Sequence, residues 1–128
     1  MKSVTRSFGD RGEDEAVAYL KKNGYRILAR NYTSGRREID IVASKKNILA
    51  IVEVKTRTYT KENFERYGRA ALAVDAEKRR NLLLAARAYT EEHPTKKPLR
   101  FDVIEVYFEE GETPSLLSLH HMEDAFRT

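Results

Sequence analysis

Glu38-Ile39-Asp40-Ile41-Val42-Ala43 and Ile48-Leu49-Ala50-Ile51-Val52-Glu53-Val54-Lys55 decide the fold. Both runs are apolar enough for strands, yet each carries charge where a buried strand would have none. Ser44-Lys45-Lys46-Asn47 between them has turn composition. Antiparallel pairing about that break puts residues whose numbers sum to 93 opposite each other, so Asp40 faces Glu53. Side chains alternate along a strand, so Glu53 and Lys55 share a face. Ile39, Ile41, Val52 and Val54 fall on one side, and Val42, Leu49 and Ile51 on the other. Strands apolar on both faces are central and covered. Like charges opposed across a ladder destabilise it, and burying them ionised and unpaired costs more. A divalent cation between the carboxylates relieves both penalties. The alternative is an internal ion pair of Lys55 with one carboxylate, near a strand end that water reaches.

Outward from these strands, Asp10 to Asn23 has the pattern of a helix. Ala16, Val17 and Leu20 form its apolar stripe and Asn23-Gly24 its stop. Tyr25 to Tyr32 alternates as a strand, and Thr33-Ser34-Gly35 is a turn. Thr56 to Gly68 is polar, basic and aromatic, with the composition of a loop. Asp75 to Glu92 is the clearest helix, with Asp75 as N-cap. Lys78, Leu82, Ala85, Ala86 and Tyr89 lie along one side of it, and His93-Pro94 ends it. Leu99 to Phe108 is rich in strand formers, Leu116 to His120 is a short last strand, and Met122 to Phe126 has the pattern of a terminal helical turn. The expected fold class is α/β, a mixed central sheet flanked by helices, in one domain spanning residues 1–128.

Composition narrows the chemistry. The chain has no cysteine, which excludes disulfides, thiolate catalysis and zinc–thiolate sites. Met1 to Gly12 lacks the apolar run of a signal peptide, and no segment approaches the roughly 20 apolar residues that span a bilayer. A cytoplasmic protein with no membrane partner is expected. The formal charge is +4, from 24 basic and 20 acidic residues, so clustering says more than the total. Arg36-Arg37, Lys45-Lys46, Lys78-Arg79-Arg80 and Lys96-Lys97 suit a polyanionic partner.

Each charged position has a bland and a functional interpretation. Asp10 and Glu13 have capping-box spacing, and acids suit helix N-termini; a carboxylate reaching a metal site from a neighbouring helix is the alternative for Glu13. Glu38 shares the face of Asp40 but starts its strand, where exposure is cheap. Lys78, Arg79 and Arg80 occupy the first turns of a helix, where the dipole disfavours cations; a phosphate contact would explain them, and so would a solvated face. Tyr59, Phe64 and Tyr67 among Arg57, Lys61, Arg66 and Arg69 suit stacking on nucleic acid or a loop's own small core. His120 and His121 are adjacent on a strand, face opposite ways and share no metal.

Taken together, Gly9-Asp10-Arg11-Gly12-Glu13, Gly24-Tyr25, Arg30-Asn31-Tyr32, Glu38-Ile39-Asp40 and Val52-Glu53-Val54-Lys55-Thr56-Arg57, continued by Lys78 and Arg100-Phe101-Asp102-Val103, resemble the YraN-type family of uncharacterised bacterial proteins. The resemblance covers nearly the whole chain. It departs at Arg37, where the family usually has glycine before its Glu-Ile-Asp. That family belongs to the PD-(D/E)xK, restriction-endonuclease-like nucleases and is similar to archaeal Holliday-junction resolvases. The resemblance implies a restriction-endonuclease-like fold and a metal-dependent endonuclease acting on nucleic acid, with DNA, branched DNA included, as the expected substrate. It makes Asp40 and Glu53 metal ligands, joined by the Val54 carbonyl, Lys55 the catalytic lysine and Glu13 an accessory carboxylate. Mg²⁺ or Mn²⁺ suits such hard oxygen donors. Arg37, Arg57, Lys78, Arg79 and Arg80 are the expected nucleic-acid contacts. A homodimer is expected by analogy with two-fold resolvases. The rival expectation is a nucleic-acid-binding module on the same fold without catalysis.

Overall fold

The computed structural model describes residues 7–63, 65 and 75–127. Among the described residues, seven longer elements follow in chain order: α1 (Phe8–Lys22), β1 (Arg26–Ser34), β2 (Arg37–Lys45), β3 (Ile48–Thr58), α2 (Ala76–Glu92), β4 (Leu99–Phe108) and β5 (Leu116–Phe126). The strands form one sheet in the order β1-β2-β3-β4-β5. Among the described strands only β3 and β4 are parallel, joined by the crossover that contains α2; the other neighbours are antiparallel. This is the mixed α/β arrangement expected, a five-stranded sheet flanked by helices.

The two helices cover opposite faces. Ala16, Val17 and Leu20 of α1 pack with Ile41, Ala43, Ala50, Val52, Ile104, Val106 and Phe108. Leu82, Ala85, Ala86 and Tyr89 of α2 pack with Val42, Leu49, Ile51, Phe101 and Val103. The alternation of β3 thus sends Val52 to α1 and Ile51 to α2. A strand sandwiched in this way must be apolar on both sides, as the sequence is. Ile39 departs from the expected side: it packs with Val42 in the α2 cluster rather than with Ile41. The interruption falls at Asp40, bracketed by the pairs Tyr32–Ile39 and Arg30–Ile41. Opposite it, Asn31 has φ 50°, a left-handed conformation that asparagine tolerates better than most residues.

Several boundaries differ from the sequence-based expectation. Helix α1 starts at Phe8, because Ser7 rather than Asp10 is the N-cap and accepts the Asp10 N–H at 3.0 Å. Ser44 and Lys45 belong to β2, and the turn contracts to Lys46-Asn47, with Lys46 at φ 53°. Thr56 to Thr58 extend β3 instead of opening a loop, since the parallel ladder with β4 continues to Thr58–Phe108. Residues 61–63 are helical, and the Thr60 hydroxyl accepts the Asn63 N–H. The aromatics Phe64 and Tyr67 and the cations Arg66 and Arg69 are outside the described residues. At the other end, Met122 to Phe126 continues β5 rather than turning helical. A register shift and the positive φ of Asp124 (52°) carry the strand on until Phe126 stacks on Phe101, ring centroids 5.2 Å apart.

A polar network secures β5 and α1 to β4. Asp102, 1% exposed, accepts two bonds from Arg100, one from the Asp124 N–H, and pairs with His121 Nε2 at 2.8 Å. His121 Nδ1 meets the Tyr19 hydroxyl of α1 at 3.1 Å. Burial opposes ionisation of Asp102, but His121, Arg100 and the Asp124 N–H outweigh it and hold the carboxyl below its usual range. His120 lies instead edge-on to Tyr107, 6.0 Å between centroids, so the two histidines do face opposite ways.

Among the described residues no helix is long and apolar enough to cross a membrane.

Candidate metal centre and its surroundings

The register of β2 and β3 is the one the turn implied. Pairs run from Lys45–Ile48 to Ile41–Val52, every pair summing to 93. The ladder stops there, one position short of Asp40 and Glu53. There the Asp40 carboxylate turns across and accepts the Val54 N–H at 2.8 Å. This bond ties the end of β2 to β3 through a side chain. It also fixes Asp40 beside the backbone whose Val54 carbonyl is the third expected ligand.

The Asp40 carboxyl is strongly perturbed. Burial raises its pKa most, the charge of Glu53 second, and Glu13 and Glu38 add to it; the Val54 N–H pulls the other way. The outcome is a pKa pushed up to about 7. Four acidic side chains therefore act on one another at this end of the sheet. Asp40 belongs to two groups at once. On one side it lines a cleft of about 350 Å³ with Glu13, Glu38, Asn31, Val54 and Thr56, under the first turns of α1. On the other it feels Glu53, which is 7% exposed and held by two lysines.

Those lysines come from different elements. Lys55 Nζ, two residues along β3, is 3.8 Å from Glu53 Oε1. Lys78 Nζ, from the first turn of α2, is 3.2 Å from Oε2. The Asp75 carboxylate accepts the Lys78 N–H at 2.8 Å and so sets where α2 begins. Lys78 thus joins the site, whereas Arg79 and Arg80 line a separate hollow with Leu83 and Arg127. Arg37 is exposed at the start of β2, paired with Ser34 across the turn. Arg57 is half-buried opposite Tyr107; burial raises the pKa values of Glu105 and Tyr107, and the Arg57 charge partly opposes that rise. It is therefore part of a polar cluster within the fold.

Glu13 is not a capping residue. It is 7% exposed, and its Oε1 accepts from Arg30 Nε and Asn31 Nδ2, both at 3.0 Å. Arg30 also holds Asp14 at 2.8 Å. These anchors were missed from sequence, because contacts spanning 17 and 18 residues leave no local signal. Gly12 was missed as well. A Cβ there would stand 1.9 Å from Thr56 Oγ1, so only glycine lets α1 approach β3 closely enough to bring Glu13 to Asp40.

The donor set fits a hard divalent cation. Asp40, Glu53 and a backbone carbonyl are oxygens, and the Asp40 pKa is raised first by burial and then by the neighbouring carboxylates, both of which a bound cation would offset. Among the described residues there is no group of three or more His, Asp or Glu side chains placed to hold a metal by themselves. Any ion here would rest on two carboxylates, main-chain oxygen and water, as Mg²⁺ commonly does.

Comparison with known proteins places this arrangement in a family. The group described as Uncharacterised protein family UPF0102 matches residues 12–106, which include Glu13, Asp40, Glu53, Lys55, Lys78 and Asp102. A UPF0102 protein of Chloroherpeton thalassium is 42% identical over 127 residues, covering 95% of each chain. One from Phocaeicola vulgatus is 40% identical, covering 93% of this chain and 91% of its own length. One from Chlorobium phaeobacteroides is 38% identical along the full length of both. Matched through its core and both clusters of charged residues, the chain belongs to the UPF0102 family, the one its YraN-type motifs resemble.

Proposed function

We propose that the chain is a metal-dependent nuclease of the restriction-endonuclease-like class, hydrolysing phosphodiester bonds of nucleic acid, DNA first. The observation that carries this reading is Asp40: half-buried, bonded to the Val54 N–H, and driven to a pKa of about 7 by its partial burial and by Glu53, Glu13 and Glu38. A fold gains nothing from such crowding unless a cation is to be gathered there. Asp40, Glu53 and the Val54 carbonyl would hold Mg²⁺ or Mn²⁺. The bound ion would polarise the scissile phosphate and favour ionisation of a water for in-line attack. Lys55, with its ammonium beside Glu53, would orient that water or offset charge in the transition state. Glu13, held at Oε1 by Arg30 and Asn31, would bind an outer water. Cutting both strands of a duplex or junction needs two such centres, hence a homodimer.

The competing reading is a nucleic-acid-binding module without catalysis. It is favoured by one observation, that Glu53 is already compensated by Lys55 and Lys78. A panel of end-labelled single-stranded, duplex and branched DNA and RNA, with Mg²⁺, Mn²⁺ or EDTA, separates the two. The nuclease reading expects cation-dependent cleavage that falls at least about a hundredfold in Lys55→Ala. Binding without cleavage of any substrate, in either cation, would leave the module.

A further inference from the structure

Both carboxylate oxygens of Glu53 already carry an ammonium neighbour. Lys55 is on Oε1 at 3.8 Å and Lys78 on Oε2 at 3.2 Å. Glu53 has almost no access to water to offset its charge, so these lysines are its counter-ions. The two are not equivalent. Lys55 is fixed on the same strand, two residues away, and is the more distant. Lys78 approaches from α2 on a flexible four-carbon stem, and its side chain is 42% exposed. Its backbone is pinned by the Asp75 cap, so the helix need not move for the ammonium to swing away.

A cation bound to Asp40 and Glu53 meets repulsion from an ammonium 3.2 Å from one of its own ligand oxygens. We propose that Lys78 is a stand-in cation: it occupies Glu53 while the site is metal-free, competes with the divalent ion for that carboxylate, and is released to solvent or to a substrate phosphate when the ion binds. This rests on the reading of Asp40, Glu53 and Val54 as a divalent-cation site. It deepens that reading by assigning Lys78 to the regulation of metal loading. It also accounts for a cation in the first turn of a helix, where the dipole disfavours it.

Calorimetric titration of Mn²⁺ into the full chain at pH 8 tests the inference without any substrate. Wild type is compared with Lys78→Met, Lys78→Gln, Lys78→Arg, Asp40→Asn and Arg87→Met. Arg87→Met removes one positive charge from the same helix about 13 Å further along it, at 1.5 Å per residue. Lys78→Met and Lys78→Gln should bind Mn²⁺ about tenfold more tightly than wild type, Lys78→Arg and Arg87→Met should stay within about twofold, and Asp40→Asn should lose binding. Melts in EDTA and in Mn²⁺ add a second readout, since the cation should raise the melting temperature more in Lys78→Met than in wild type. Unchanged or weaker Mn²⁺ affinity in both neutral Lys78 variants, with wild type binding and Asp40→Asn not, overturns the stand-in role alone. Wild type and Asp40→Asn responding alike to Mn²⁺ overturns the metal site itself, and the stand-in role with it.

Discussion

Asp40 makes a stability prediction whose sign is unusual for an aspartate. Its ordinary pKa is 3.8 and its folded one about 7. Between those values the folded chain holds a proton that the unfolded chain has released. Metal-free stability should therefore fall as pH rises from about 4 to about 7, and stay flat above, as far as this group is concerned. Asp40→Asn removes the titration, and its amide oxygen can still accept the Val54 N–H. The variant should be more stable than wild type at pH 8, by up to about 4 kcal/mol from a shift of this size. The gap should close towards pH 4. Urea denaturation in EDTA at pH 4.5, 6 and 8 measures it. A gap that does not change with pH would mean that Asp40 is neutralised by something other than a proton. Asp102 behaves oppositely, since its pKa is lowered in the fold, so its contribution is present above the ordinary carboxyl range and lost on acidification. Two aspartates of one sheet thus pull the pH profile in opposite directions, and what separates them is the partner. Arg100 and His121 face Asp102, while Glu53, Glu13 and Glu38 surround Asp40.

Between elements, the approach of α1 to β3 places Glu13, and Gly12 is what permits it. Gly12→Ala would put a methyl group 1.9 Å from Thr56 Oγ1 and 2.8 Å from Thr56 Cβ, so a branched strand residue or the helix must give way. The variant should lose about 1–3 kcal/mol, the usual cost of overpacking, measured by chemical denaturation. It should also weaken Mn²⁺ binding if the spacing of α1 matters to the site. Gly9→Ala, with nothing within 4 Å of its added methyl, is the control. This contact also shows where sequence reading stops. The β2–β3 register could be read because a short turn between two apolar runs allows little else, and α2 because Asp75 and His93-Pro94 mark its ends. Asp40, Glu53, Lys55 and Lys78 came together through those two legible features. The Glu13 anchors Arg30 and Asn31, the fit of Gly12 on Thr56 and the Asp102 network depend on contacts between elements distant in sequence. The end of β5 was misread for a related reason: Met122, Ala125 and Phe126 have helix-like spacing, but they reach the core through a register shift at Asp124.

At the scale of the whole molecule, the acidic centre and the basic surroundings oppose each other towards a polyanion. Lys55 and Lys78 are engaged with Glu53, and Arg30 with Glu13 and Asp14, so much of the positive charge near the cleft is already balanced. The chain's excess is only +4. Phosphates approaching Asp40, Glu53, Glu13 and Glu38 meet net negative charge unless a cation lies among them. Nucleic-acid affinity should therefore depend on a divalent ion as well as on salt. In EDTA, fluorescence anisotropy with a labelled duplex should show weak binding; Ca²⁺, an oxygen-seeking ion used in place of Mg²⁺ to limit cleavage, should strengthen it. With the ion present, contact with two to four phosphates would give a plot of log affinity against log salt with a slope of about −2 to −4. Asp40→Asn separates the contributions. By removing one negative charge it should bind the duplex more tightly than wild type in EDTA at pH 8, yet gain little from Ca²⁺. Charge reversal at Arg79 and Arg80, which line a hollow apart from the acidic cleft, should lower affinity equally with and without the ion. Wild-type affinity that is the same in EDTA and in Ca²⁺, with Asp40→Asn indistinguishable from it, would place the nucleic-acid surface away from the carboxylates and remove the link between binding and chemistry.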